Sequence, residues 1–215
     1  LLEEWRGQFH AALDGTAENP VFIALADTIR RHAIPPALFD DLIDAFVQDT
    51  ITPEYETYEQ VLDYCSRSAN PVGRIVLSLH GILDERTAAL SDKLCTGLQL
   101  VNFWQDVSVD RLKPRVYLPK EDLQRFGVEI SDVLAGKDSD RLCACIAFQV
   151  ERTKDFFHDS VLLFDLLPLR LRLELRAVWR GGFRILEKIE KQEYTTVRTR
   201  PVLSSSDYVV MALYA

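Results

Sequence analysis

Leu94-Cys-Thr-Gly-Leu-Gln-Leu-Val-Asn-Phe-Trp-Gln-Asp-Val-Ser-Val-Asp110 is the stretch from which the fold is read. Leu94, Leu98, Val101 and Trp104 recur at helical spacing, which predicts one long helix from Asp84 to about Val107. Gln99, Asn102, Asp106 and Asp110 fall at i, i+3, i+7 and i+11, within one narrow stripe of such a helix. Leu98, Leu100, Val101, Phe103 and Trp104 flank them, so the polar stripe is expected to face a largely buried environment. Like charges one turn apart repel, and more so when partly desolvated. A hard cation such as Mg2+, held by carboxylate and amide oxygens and sharing a substrate phosphate, removes that cost. The plainer alternative is that Asp106 caps or pairs locally while Asp110 lies in solvent.

Outward from this helix the pattern stays helical. Upstream, segments are predicted at 3–14, from Asn19-Pro20 to about His32, and from Pro35-Pro36 onward, where Leu38, Phe39, Leu42, Ile43, Phe46 and Val47 form an apolar stripe opposite Asp40, Asp41 and Asp44. Thr57-Tyr-Glu-Gln60 reads as a capping box opening a helix to about Ser68, and Asn70-Pro71 breaks it and starts another. Downstream, 111–119 is a loop with two prolines, followed by short helices near 120–126 and 130–134. Long helices at about 138–164 and 168–190 follow, with Gly181-Gly182 a weak point in the second. The segment from Tyr194 to Ser206 is irregular before a last short helix. With 9 Gly in 215 residues and almost no alternating β-type runs, the chain reads as one all-α domain over 1–215.

Composition narrows the function. A hydrophobic fraction of 47% and a charged fraction of 27% belong to a folded globular protein. The formal charge of −8 disfavours a nucleic-acid binder. No apolar run is long enough to span a bilayer; the most apolar window, Val161–Leu169, is interrupted by Asp165 and Pro168. Cys65, Cys95, Cys143 and Cys145 match no zinc or redox spacing and read as reduced thiols of a cytoplasmic protein. His10, His32, His80 and His158 form no ligand pair. The chain opens Leu-Leu-Glu-Glu without Met, as if inside a helix, so Leu1 is not expected to be the first residue of the protein.

Two further segments carry chemistry. Arg111-Leu-Lys-Pro-Arg-Val-Tyr-Leu-Pro119 places Lys113 and Arg115 directly after the acidic stripe, suited to a diphosphate or to ordinary surface ion pairs. In Tyr64-Cys-Ser-Arg-Ser-Ala-Asn-Pro-Val-Gly-Arg74, Tyr64 and Arg67 share a helix face beside small residues at 66, 68, 69 and 73. Tyr64 either packs and donates one hydrogen bond, or serves as a proton relay or cation stabiliser.

Taken together, Tyr64–Gly73, Leu98–Asp110 and Arg115-Val-Tyr-Leu-Pro119 resemble the squalene/phytoene synthases, with the likeness running from the Asn19-Pro20 helix to Arg200. Ser-Ala-Asn-Pro-Val-Gly and Asn-Phe-Trp-Gln-Asp are most similar to the bacterial branch called HpnC, the hydroxysqualene synthases. The resemblance implies an isoprenoid-synthase helical bundle around an apolar cavity, with Mg2+ bridging substrate diphosphate to two aspartate-rich motifs. Asn102, Asp106 and Asp110 would form the second motif, with Gln99 beside it. Arg115, Lys113 and Tyr117 would grip diphosphate oxygens, Arg74 would bind substrate as well, and Asp49 would lie near the cavity. Tyr64 would assist the carbocation chemistry with Arg67, while Asn70 and Gln105, the branch-specific residues, would position a water. Phe103 and Trp104, if turned inward, would stabilise the cation.

In that branch the implied reaction turns presqualene diphosphate and water into hydroxysqualene and diphosphate, with no NADPH. Two alternatives stand beside it: a head-to-head condensing synthase making presqualene diphosphate or phytoene, and a non-catalytic assembly factor. The first aspartate-rich motif is expected upstream of Leu1. Glu54 stands where relatives usually carry an Arg. Lipid substrates imply peripheral contact with the inner membrane, and the charge of −8 offers no electrostatic help towards anionic lipid, so docking is expected to be hydrophobic and local.

Overall fold

A computed structural model describes residues 1–113 and 115–213. Pro114, one of the two prolines expected in the loop, lies outside the described residues. The first helices begin where their caps dictate. α1 (Leu2–Leu13) is followed by α2 (Pro20–His32), where the Asn19 side chain accepts the Val21 N–H at 3.0 Å and Pro20 occupies the first turn. α3 (Ala37–Ile51) leads to α4 (Tyr58–Ser68). Thr57 caps α4 as expected, but Gln60 reaches back to the N–H of Glu56, not of Thr57, so the box closes one residue early. α5 (Asn70–Leu79) starts at the Asn70-Pro71 break.

α6 (Glu85–Gln105) opens on a reciprocal box between Asp84 and Thr87 and is the central helix, packed against α4, α5, α10 (Asp140–Ser160) and α11 (Leu169–Lys191). Between α6 and α10 lie α7 (Val107–Asp110), α8 (Lys120–Phe126) and α9 (Ile130–Leu134); a 3-10 segment, Val161–Leu166, joins α10 to α11. α12 (Ser205–Leu213) closes the described chain. Among the described residues there is no strand, only a parallel bridge between Glu54 and Val116 that ties the loop before α4 to the loop before α8. No helix among them is long and apolar enough to cross a membrane.

The stripe on α3 is wider than its neighbours cover. Leu38 and Ala45 are buried, but Phe46 is 51% exposed. α1, α4 and α5 pack on a narrower face than the sequence pattern offers.

Gly181-Gly182 is not a weak point: α11 runs through it unbroken. A Cβ on Gly182 would stand 2.6 Å from Leu98 Cδ2 and 2.9 Å from Phe157 Cζ. A Cβ on Gly97 of α6 would stand 3.1 Å from Phe157 Cε2. The fully buried Phe157 ring of α10 is therefore lodged between two glycines on two other helices. Trp179 completes the joint, donating Nε1–H to the Phe157 carbonyl at 2.9 Å while stacking on Phe183. In an open helix Gly→Ala stabilises by about 1 kcal/mol. Here overpacking reverses the sign: Gly182→Ala is expected to destabilise by about 1–3 kcal/mol in urea unfolding. A stabilising substitution would show that the three helices have room to spare.

Candidate active site

The acidic stripe is built on a helix that breaks within it. α6 ends at Gln105, Asp106 takes φ −97° and ψ 11°, and α7 resumes at Val107, so the expected single helix is two. The register survives because the Asp106 N–H still donates to Asn102 O at 2.9 Å and the Asp110 N–H to Asp106 O at 2.8 Å. The environment differs from the expected buried one. Asn102 is exposed, and Gln99, Asp106 and Asp110 are half-buried, so the stripe opens outward. Phe103 and Trp104 do face the core: Phe103 stacks on Tyr117 at 3.8 Å, and the fully buried Trp104 donates to Thr153 Oγ1 at 2.9 Å.

Asn102 donates to Asp106 Oδ2 at 3.1 Å, and Arg200 forms an ion pair with Asp106 Oδ1. Arg200 was not singled out in the sequence. It lies 94 residues away in an irregular segment, and only its place in the basic run Arg198-Thr-Arg200-Pro201 hinted at it. Burial, and then the neighbouring Asp106 charge, push the Asp110 carboxyl up to about 6, against the pull of Lys113, Arg115 and Arg200.

A second group lies beside the stripe, across the Phe103–Tyr117 stack. Tyr64 Oη donates to Asp49 Oδ1 at 2.8 Å. Burial, reinforced by that bond, holds the Tyr64 phenol well above its usual range, so it stays protonated. Arg115 donates to the Asp49 carbonyl at 2.7 Å and to Tyr117 Oη at 3.3 Å. Arg67 reaches Gln48 Oε1 at 2.6 Å and Asp63 at 2.5 Å. The structure thus brings Asp49, Tyr64, Arg115 and Tyr117 together, with Arg67 alongside. Lys113 is exposed on the turn after Asp110.

Three expected site residues are already bonded within the fold, and of these Gln105 also lines the cavity on the other flank of α6. Arg74 closes its fork on Asp92 at 3.0 and 2.5 Å. Asn70 is buried and accepts from Thr96 Oγ1 at 2.9 Å. Gln105 is buried and donates to the Pro201 carbonyl at 2.7 Å. Glu54 pairs with Lys120 at 3.2 Å. The four cysteines are free thiols, and His10 pairs with Asp40 at 3.0 Å.

On the opposite flank of α6 lies a cavity of about 720 Å3, walled by Leu98, Val101, Gly181 and Ile185 and rimmed by Asn102 and Arg200. Asn102 and Arg200 therefore belong both to the acidic stripe and to an apolar cavity. Among the described residues no three His, Cys, Asp or Glu side chains converge as a cage. Two carboxylates and an amide, open on one side, suit a hard cation that keeps waters and takes its remaining ligands from a phosphate.

The squalene/phytoene synthase profile matches residues 1–207. The chain belongs to the squalene/phytoene synthase family. It is similar to the solved squalene synthase HpnC of Alicyclobacillus acidocaldarius, at 38% identity and a TM-score of 0.87, over 90% of this chain and 73% of that one. It is 31% identical to the hydroxysqualene synthase of Rhodopseudomonas palustris, over 99% of this chain and 73% of that protein. It is 34% identical to the phytoene synthase of Mycobacterium bovis over 72% of this chain, and spans about half the length of that relative, 52%. The all-α isoprenoid-synthase fold is shared with that solved structure. The family works on prenyl diphosphates and with divalent metal ions.

An Asp whose carboxyl is raised in the folded state binds its proton more tightly there than when unfolded. Stability therefore falls as pH rises from about 4 to about 6. Asp110→Asn removes that cost. The variant is expected to be more stable than the parent at pH 7, by about 1 kcal/mol after solvent screening, and equal to it near pH 4. Melting curves at the two pH values decide this, and a variant no more stable at pH 7 would contradict it.

Proposed function

We propose that this chain carries the core of a hydroxysqualene synthase, converting presqualene diphosphate and water to hydroxysqualene and diphosphate. The observation that carries the reading is the sharing of Asn102 and Arg200 between the acidic stripe and the apolar cavity. A diphosphate head at the rim and a hydrocarbon tail in the cavity meet the needs of one amphiphilic substrate. Asn102, Asp106 and Asp110 are the residues to hold Mg2+, with Gln99 one turn before. When bound, Mg2+ neutralises the charge that develops on the departing diphosphate.

The residues of the chain do the rest. Lys113, Arg115, Tyr117 and Arg200 hold diphosphate oxygens, Arg200 exchanging its carboxylate partner for phosphate. Arg115 also fixes the backbone of Asp49, and through it the direction of the Tyr64 hydroxyl. Arg67 steadies the Gln48 side of the same group. Gln105, which lines the cavity, positions the water that closes the cation as the alcohol, while Asn70, bonded to Thr96 farther back along α6, steadies the packing of α5 on α6. The scheme consumes no NADPH. It uses residues 1–215 as one domain.

A second reading, head-to-head condensation to presqualene diphosphate or phytoene, draws support from the likeness to the mycobacterial phytoene synthase. One incubation separates them. The complete protein with presqualene diphosphate and Mg2+, without NADPH, is expected to release a thirty-carbon alcohol identified by mass. Asp106→Ala is expected to lower its formation by about a hundredfold or more. Product from farnesyl diphosphate alone would move the second reading to the front. No product from either substrate would defeat both.

A further inference from the structure

One carboxylate both starts α12 and fastens it. Asp207 stands three residues after Ser204 and accepts its N–H at 2.6 Å, the return half of a capping box. The same Oδ2 accepts the Ser204 hydroxyl at 2.6 Å. The rest of the carboxylate is turned to α11: Arg184 Nε donates to Oδ1 at 2.8 Å, and Lys188 Nζ lies 2.7 Å from Oδ2. From Arg198 to Tyr208 only Pro201 and Asp207 are buried, Asp207 at 2% exposure. Upstream, Thr196 and Val197 are fully buried, so the segment is pinned at its base and then at these two points. What it lines is the large cavity. Val202, Leu203, Tyr208 and Met211 form one side of that space of about 720 Å3, and α6 and α11 supply the others. The apolar seating of α12 is slight. Met211 Cε comes within 3.1 Å of the place a Cβ on Gly181 would occupy, while Val202 and Tyr208 remain 55% and 59% exposed.

We propose that Asp207 is a positioning residue, whose carboxylate holds α12 as a movable wall that an apolar chain in the cavity draws closed. The hold is ionic more than apolar. Charge-assisted hydrogen bonds to Arg184 and Lys188 fix where α12 lies without filling the space between it and α6. Val178 of α11 lines the same cavity and is 47% exposed, so apolar side chains from both sides meet there without covering one another. A long apolar molecule laid between them takes Val178, Val202 and Tyr208 out of water together, and that gain favours the closed wall. The near end of the wall carries Arg200, paired with Asp106, so the segment that shapes the apolar space also meets the acidic stripe. That the apolar chain belongs to a prenyl diphosphate rests on the proposed function; the latch and the wall do not.

Amide hydrogen exchange of the complete protein, read by mass over peptides covering 199–213, tests both parts. In the parent this segment is expected to exchange faster than α6 and α10. Squalene in detergent is expected to slow it several-fold relative to detergent alone. Asp207→Asn keeps an oxygen for the Ser204 N–H but loses the charge that Arg184 and Lys188 hold. It is expected to speed exchange over 199–213 by about tenfold or more, with α6 and α10 at the parent's rates. Lys188→Met, which leaves the cap of α12 intact, is expected to act in the same direction by several-fold. Exchange like the parent's in both variants overturns the latch. So does exchange that rises equally over α6 and α10, the mark of a merely structural residue. Squalene that leaves 199–213 unprotected overturns the wall. A protein that turns over no presqualene diphosphate yet shows both responses loses the enzymatic reading and keeps the wall.

Discussion

The lodging of Phe157 between Gly97 and Gly182 is the constraint from which the rest of the molecule follows. Three long helices, α6, α10 and α11, can meet around one ring only because two of them lack a side chain at the crossing. That meeting fixes the rotation of α6 about its axis. Once Gly97 faces α10, Trp104 faces Thr153 in the core, and Asn102 and Asp106 are left on the opposite, open side. Gly182 serves a second purpose: it lies in the cavity wall, so the same close packing that joins the helices sets one limit of the space beside the site.

Placing two carboxylates on that open side carries a cost that the rest of the chain partly offsets. Asp106 is answered by Arg200, brought back from the segment after α11. That segment is itself held by Gln105 through Pro201, and by the Ser108 N–H bonded to the Thr196 carbonyl at 3.1 Å. Farther on, Asp207 of α12 takes Arg184 at 2.8 Å and Lys188 at 2.7 Å, both on α11, which keeps its carboxyl far below the usual range through those hydrogen bonds and the one from Ser204. Asp110 has no such dedicated partner among the described residues, and burial with the neighbouring Asp106 charge raises its carboxyl, as expected where a further positive charge would be accommodated.

Most of the fold could be read from the sequence because helix signals are local. Asn19-Pro20, Asn70-Pro71 and the helices over 120–126 and 130–134 are set by neighbouring residues. What escaped was set by tertiary contact. The glycines of α11 look like a defect unless Phe157 is known to sit against them. Phe46 looks like core unless it is known that α1, α4 and α5 leave it uncovered. The acidic stripe was found by its period, but its openness was not, since exposure depends on which helices lie across from it. Tyr64 and Asp49 were both picked out, yet the 2.8 Å bond between them needed α3 and α4 to be seen side by side. Arg200 carried too weak a local signal, because its partner is reached only through the return of the chain past α11.

Gln105 shows how a buried bond can specify an exposed function. A backbone carbonyl only accepts, so the bond to Pro201 must be donated by Nε2, and the orientation of the side-chain amide is fixed. Its carbonyl oxygen is then the group left to meet whatever enters the cavity that Gln105 lines. An Arg at this place would present only donors, and could hold a phosphate but could not accept a hydrogen from water. A fixed acceptor on a largely apolar wall can orient one water, which is what the proposed reaction would ask of it. Under the proposed function, the choice of product would rest less on the acidic stripe than on this one amide, whose direction is set by the same segment that delivers Arg200.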